Sequence, residues 1–247
     1  NMSNENSLIF KHSGDLGDII LSLPAMCESG GGSLLLDPEG GLREPLVRWA
    51  NYNHTKLNKG SIDFITPLLE RQSYIHSIGY WGEEKVDVNL DKFRMHNKYN
   101  CLMSAHLDSV GKLSTRGKWS GTPWIDVPSL ELPKGKKYIL SRSCRYHSNY
   151  TFWETLDDSV IDSSVFVSLD WEYEYFMKTF PRYQGRVERL DTSDALNLAG
   201  YIKSADMIIT NQSFVYCLAE AMKKKLMLEV YRVHPSSIIQ REGATYV

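Results

Sequence analysis

The chain has 247 residues, a net charge of -2 at pH 7 and a pI near 6.4, which excludes a protein that holds nucleic acid by overall basicity and leaves room only for a local basic groove. Hydrophobic residues make up 42% and charged residues 23%, without a long apolar run, so a globular α/β protein with no membrane span and no signal peptide is expected. Cys27, Cys101, Cys144 and Cys217 lack C-x-x-C spacing and read as reduced structural thiols of a cytoplasmic protein.

In chain order, "SLIF" (7–10) predicts a strand that feeds the glycine turn "HSGDLGD". Ile19, Ile20, Leu23, Met26 and Cys27 then recur at helical spacing and form one apolar face, with Pro24 expected to bend or shorten the helix. "SLLLD" (33–37) is a buried strand. Residues 40–130 mix "PLVRWANY", "ITPLLERQSYI", "LDKFRMHNKYN" and "STRGKWSGTPWIDVP", and predict long excursions from a small sheet, of the kind that form binding surfaces.

"PSLELPKGKK" (128–137) reads as a linker. Beyond it, β-rich runs at 138–142, 164–169, 186–190, 207–210 and 226–230 alternate with helical stretches at 150–160, 172–180, 193–204 and 213–224. Such alternation implies a parallel sheet with right-handed crossovers. The expected architecture is two Rossmann-like domains, 1–130 and 138–247, facing a cleft lined by the turns that follow strands.

The glycine turn fits no phosphate motif. A dinucleotide fingerprint needs glycine at 12, 14 and 17, and His12 occupies the first; a P-loop needs Gly-Lys-Ser/Thr where this chain has Gly17-Asp18-Ile19. Asp15 and Asp18 would repel a diphosphate, so Gly14, Asp15 and Gly17 are expected to face an uncharged polar partner. Asp18 either caps its helix, worth about 0.5–2 kcal/mol, or accepts a proton from a bound hydroxyl.

The turns of the second half carry the opposite character. Arg142, Ser143 and Arg145 follow its first strand, where guanidinium groups suit a diphosphate. Asn211, Gln212 and Ser213 open a helix whose N–H groups can face an anion, although Ser213 is equally suited to a plain N-cap. Glu172 stands at another helix start, where a carboxylate is favoured with or without a ligand. Tyr173, Tyr175 and Phe176 suit packing better than base stacking.

No D-x-D pair and no zinc-type His/Cys spacing occurs, so no metal and no cofactor are expected. No G-x-S-x-G elbow occurs either. His106 is an acceptor-contact candidate or a buried polar residue. The basic loops 112–119 and 134–137 suit solvated surface or a phosphate-backbone contact, and "KKK" (223–225) complements a helix end.

"SGDLGDIILSLPAM" resembles the N-terminal motif of heptosyltransferase-type glycosyltransferases, and "SADMIITNQSFVYCLAEAMKKKLMLEV" resembles their donor-site segment. "PLLERQSYI", "LDKFR", "RSCRY" and "NQSF" are similar to a shorter branch found in bacterial and phage genomes. The resemblance implies a GT-B fold and a metal-independent, inverting enzyme that moves a sugar from a nucleotide diphosphate sugar to an acceptor hydroxyl. It implies Asp18 as base, a cationic residue after the strand at 138–142, and Glu172 at the nucleoside ribose. Asn211-Gln212-Ser213 departs from the usual Asp-Thr/Ser-Gly, and Cys217 lies near the usual His.

A glycan, a small molecule or a hydroxymethylated DNA base, as in a phage-infected cell, are the acceptors expected. The alternatives are a nucleotide-binding oxidoreductase, for which Asp37 is the acidic residue after the second strand, and a non-catalytic nucleotide- or glycan-binding module.

Overall fold

The computed structural model describes residues 7–40, 57–99 and 101–247, and the chain divides into two compact units, Asn1–Trp119 and Ser120–Val247. "PLVRWANY" lies outside the described residues.

The first unit runs β1 (Leu8–His12), α1 (Leu16–Glu28), β2 (Gly32–Leu36), α2 (Lys59–Glu70), β3 (Ile75–Tyr80), β4 (Val88–Asn89), a 3-10 stretch over Leu90–Tyr99 kinked at His96, and α3 (Leu102–Ser109). Its sheet has the order β3-β2-β1-β4 and every pairing is parallel. Residues 19–26 of α1 are all buried, Ser22 included, so the helix is enclosed well beyond the one apolar face that its spacing predicts. The helix continues through Pro24 to Glu28, so the proline does not shorten it.

Gly30 and Gly31 then reverse the chain at φ 90° and 76°, a backbone that L side chains rarely adopt. Gly32 enters β2 so close to β1 that a Cβ there would stand 2.1 Å from the Leu8 carbonyl oxygen. The stretch expected to be long excursions therefore contributes two strands and three α-helices, the third being the short α4 (Arg116–Gly121). "LDKFRMHNKYN" buries Leu90 and Phe93, which its polar composition concealed.

The second unit holds β5 (Tyr138–Ser141), α5 (Tyr150–Thr155), α6 (Asp158–Asp162), β6 (Ser164–Phe166), α7 (Asp170–Thr179), α8 (Ala195–Ser204), β7 (Met207–Asn211), α9 (Phe214–Ala221), β8 (Leu226–Glu229) and β9 (Ala244–Tyr246). The order is β6-β5-β7-β8-β9, again parallel throughout. Two parallel Rossmann-like sheets are thus present, as the strand and helix rhythm implies.

Four details differ from the sequence pattern, the first being the fifth strand, β9, which no predicted β-rich run marks. The run at 186–190 forms only an isolated bridge, Phe166 with Arg189. The helix expected over 150–160 is two helices, because Asp157 leaves the helical conformation to cap α6 through Ser159 N–H at 2.8 Å. The segment expected to be a linker, 128–137, belongs to the second unit: Leu130 N–H donates to the Gly200 carbonyl, as Trp124 N–H, just ahead of the segment, donates to that of Ala221.

The core of this unit is aromatic. Phe176 lies 4.7 Å from Phe166 and meets Trp153 edge-on at 5.2 Å, with Phe180 and Tyr183 alongside. Each such ring contributes about 1.5–3 kcal/mol by burial. Gly32→Ala is expected to destabilise the protein by about 1–3 kcal/mol through overpacking of backbone against backbone. The midpoint of urea unfolding measures it, and an unchanged midpoint would show that β1 and β2 can part freely.

Candidate functional site

In the first unit the turn after β1 is locked from below. Asp91, at the start of the 3-10 stretch, accepts from Ser13 N–H at 2.9 Å and Ser13 Oγ at 2.7 Å. Lys11 stands 3.3 Å from Asp91 and 3.4 Å from Asp37. Asp15 is the N-cap of α1, and Asp15 N–H donates back to Asp18 Oδ2 at 3.1 Å in a reciprocal capping box.

Asp18 is 15% exposed, and Arg94 Nη2 approaches its Oδ2 at 3.7 Å. Gly14 is required by contact rather than by conformation: a Cβ would stand 2.7 Å from both Asp18 Oδ2 and His12 Cε1. The structure therefore brings Gly14, Asp15 and Asp18 together, with Gly17 in the first turn of α1.

His106 lies beneath this turn, not in it. It is fully buried and stacked 4.0 Å from Phe93 at 18°. Gly14 N–H donates to His12 Nδ1 at 2.9 Å, His12 Nε2 meets His106 Nε2 at 2.9 Å, and His106 Nδ1 lies 2.7 Å from the Leu102 carbonyl. The two ends set the tautomers: His12 carries its proton on Nε2, and His106 on Nδ1. Burial, then the neighbouring His12, holds His106 well below the ordinary histidine range. The acceptor contact expected of His106 is thus a buried support for the turn.

In the second unit the hub is Glu229, at the end of β8 and fully buried. Its Oε2 accepts from Arg142 Nε and Trp153 Nε1, both at 2.8 Å; its Oε1 accepts from Arg142 Nη2 at 2.9 Å, Ser148 N–H at 2.8 Å and Asn149 N–H at 2.9 Å. Burial pushes this carboxyl up, but Arg142 and the two N–H groups more than reverse that and leave it below the ordinary glutamate range. Arg142 is 3% exposed, with Tyr150 4.7 Å and Phe180 5.3 Å from its guanidinium. Expected at a diphosphate, Arg142 is instead paired bidentately inside the protein.

Of the remaining donor-side residues, Asn211 and Glu172 bond to the turn after β5, Gln212 bonds to the segment after β8, and Ser213 caps α9. Asn211 accepts from Ser143 N–H at 2.9 Å and donates to the Arg145 carbonyl at 2.6 Å. Glu172, in the first turn of α7, accepts from Cys144 N–H at 3.0 Å; burial raises its pKa, and that hydrogen bond offsets part of the rise. Gln212 accepts from Tyr231 N–H at 2.7 Å and donates to the His234 carbonyl at 2.8 Å. Ser213 caps α9, accepting from Tyr216 N–H at 3.3 Å.

Arg145 places its guanidinium 5.2 Å from the Tyr146 ring. Tyr146 itself sits at φ 61°, a conformation that costs a bulky L residue about 1–2 kcal/mol.

Among the described residues no group of three or more His, Cys, Asp or Glu could hold a metal ion. Burial pushes the Cys27 thiol up to about 12, with Tyr74 partly opposing, so it is a poor nucleophile. All four cysteines are free. No described helix is long and apolar enough to cross a membrane.

Sequence reasoning passed over Asp91, Glu229, Tyr231 and His234. A signal existed only for Glu229, a lone carboxylate in the apolar run "LMLEV".

No family model matches the chain, and no curated protein matches it in sequence. In structure it is similar to a glycosyl transferase family 9 protein from Veillonella parvula, with a TM-score of 0.56, 11% identity, and coverage of 99% of this chain and 88% of that one. It is also similar to the E. coli heptosyltransferase WaaC with ADP, with a TM-score of 0.50, 10% identity, and coverage of 96% and 92%. At these identities the likeness is one of fold. The chain has the heptosyltransferase-like GT-B fold that its terminal motifs resemble.

Two stability measurements follow from these hubs. Arg142→Ala strands a buried carboxylate and is expected to cost about 3–5 kcal/mol at neutral pH. In the wild type, Glu229 titrates below its ordinary 4.5, so its stabilisation is present above that pH and is lost as the pH falls further. In the variant only Trp153 and the Ser148 and Asn149 N–H groups still oppose burial, and acid relieves the strain, so the gap between the two proteins should narrow below pH 4.5; a constant gap would contradict the pairing. For His106, the unfolded chain takes up a proton near 6.5 that the folded chain refuses. Stability is therefore expected to fall as the pH drops through 6.5, and His106→Gln should flatten that slope in thermal unfolding.

Proposed function

We propose that this protein is a glycosyltransferase that moves a sugar from a nucleotide diphosphate sugar to an acceptor hydroxyl, with inversion and without a metal. The observation that carries this reading is the contrast between the two strand-end turns, on a fold shared with glycosyltransferases. The turn before α1 presents the carboxylates of Asp15 and Asp18; the turn before α9 presents the Ser213 cap and the positive end of a helix dipole. Asp18 suits the acceptor, Ser213 the diphosphate.

In this mechanism Asp18 takes the proton of the acceptor hydroxyl. The oxygen attacks the anomeric carbon while the bond from that carbon to the diphosphate breaks, and the nucleoside diphosphate departs with the electron pair. Arg145 and the N–H groups at the start of α9 take up the charge that develops on it. Glu172 accepts from the ribose hydroxyls. Arg142, Ser143, Asn211 and Gln212 shape the turns, since their polar groups hold the backbone.

The acceptor class this reading favours is a glycan or small-molecule hydroxyl. In the basic loops, Lys118 pairs with Glu28 at 2.9 Å and Lys136 donates to the Asp162 carbonyl at 2.8 Å, so these cations already have partners other than a DNA backbone. The oxidoreductase reading gains nothing from Asp37, whose carboxylate pairs with Lys11 and accepts from Glu39 N–H at 2.9 Å.

Thermal unfolding with ADP, GDP, UDP, CDP and NAD tests the donor, because a ligand at about 100 times its Kd adds about 2.7 kcal/mol. ADP comes first, since the E. coli neighbour holds it. Stabilisation by NAD alone would favour the oxidoreductase. Asp18→Asn is expected to keep nucleoside diphosphate binding and to lose about 10²–10⁴-fold in turnover. Near-normal turnover would leave Asp18 a cap, and a retained anomeric configuration by NMR would rule out a single displacement.

A further inference from the structure

The carboxyl edge of the second sheet carries a ring cluster that the donor reading does not use. Tyr146, from the turn after β5, lies 5.5 Å from Tyr231 and 6.3 Å from His234, both from the segment after β8; Tyr231 and His234 are 5.7 Å apart. The cluster is pinned at both ends. Gln212 holds the backbone of Tyr231 and of His234, and Asn211 holds the turn that leads into Tyr146. Gln212 immediately precedes the α9 cap, so the rings are tied to the turn assigned to the diphosphate.

Among the described residues the hydroxyls of Tyr173, Tyr183, Tyr216 and Tyr246 all donate within the protein. The hydroxyls of Tyr146 and Tyr231 and the ring nitrogens of His234 have no such partner. His234 is exposed, and so is Val233 beside it, at 68%. Rings held firmly by their backbone, with polar tips unengaged and left-handed geometry at Tyr146, describe a surface awaiting a ligand.

The sheet order gives the direction in which a ligand would lie. β6-β5-β7-β8 places Glu172 at one flank, the Ser213 turn in the middle and the rings at the other flank, over three strand spacings or about 14 Å. With the ribose at Glu172 and the diphosphate at Ser213, the next group along the chain of the ligand is the transferred sugar. We infer that Tyr146, Tyr231 and His234 form the subsite for the sugar ring of the donor, an inference that rests on the donor reading above. The apolar C–H face of a pyranose stacks on the rings, and its hydroxyls reach the phenol and imidazole tips.

Calorimetry with the pairs ADP and ADP-glucose, UDP and UDP-glucose, and GDP and GDP-mannose separates the outcomes. For a pair that binds the wild type, Tyr231→Ala and His234→Ala are each expected to weaken the nucleotide sugar about tenfold and to leave the nucleoside diphosphate within twofold. Tyr231→Phe and Tyr146→Phe, which keep the rings and the packing, should each weaken the nucleotide sugar alone by a few-fold. Equal loss for both members of a pair would make the cluster a base platform and overturn the inference, as would no loss at all. Wild-type binding of the diphosphates but of none of their sugar conjugates would overturn it as well, because stacking accepts any of these pyranoses. If the wild type binds no member of any pair, the donor reading itself falls, and the sugar subsite with it.

Discussion

The second unit is organised by one buried ion pair. Glu229 cannot be charged in a protein interior unless its lone pairs are filled, and five donors from the turn after β5 and from α5 fill them. The consequence is geometric. Because the Ser148 and Asn149 N–H groups point at the carboxylate, the turn 142–149 is drawn across β7 to β8. Asn211 and Glu172 then complete its backbone hydrogen bonds at Ser143, Arg145 and Cys144.

The first unit solves a related problem with different groups. A turn that carries Asp15 and Asp18 side by side must keep two carboxylates apart from each other and close to donors. The capping box supplies backbone N–H groups to both, Arg94 adds positive charge, and Asp91 holds Ser13 from beneath. Below them His106 is held well below the ordinary histidine range by burial and then by His12, so its own ring adds no positive charge beneath the turn at neutral pH. The place of Asp18 in the capping box is compatible with the base role proposed for it: one oxygen orders the helix start, and the side chain keeps 15% exposure.

Much of the fold was legible from periodicity. Strands such as "YILS" and "MIITN" are short, apolar and separated by helices, and parallel order follows from that alternation. The first turn was legible for the same reason, since Gly14, Asp15 and Asp18 lie within five residues and their interactions are local. The 40–130 stretch was less so. "LDKFRMHNKYN" has a polar composition, and only its position under β1 makes Leu90, Phe93 and Asp91 part of the site.

By itself, the sequence determined the local elements: the strands β1, β2 and β5 to β8, the carboxylates of the opening turn and the Ser213 cap of the last long helix. Each depends on residues a few positions apart, whose spacing can be read directly. Tertiary structure alone decided the partners. Arg142 and Glu229 are 87 positions apart, and His12 and His106 are 94 apart. A guanidinium after a strand looks the same in sequence whether a phosphate or a buried carboxylate will meet it; burial, which only the folded chain sets, makes the choice.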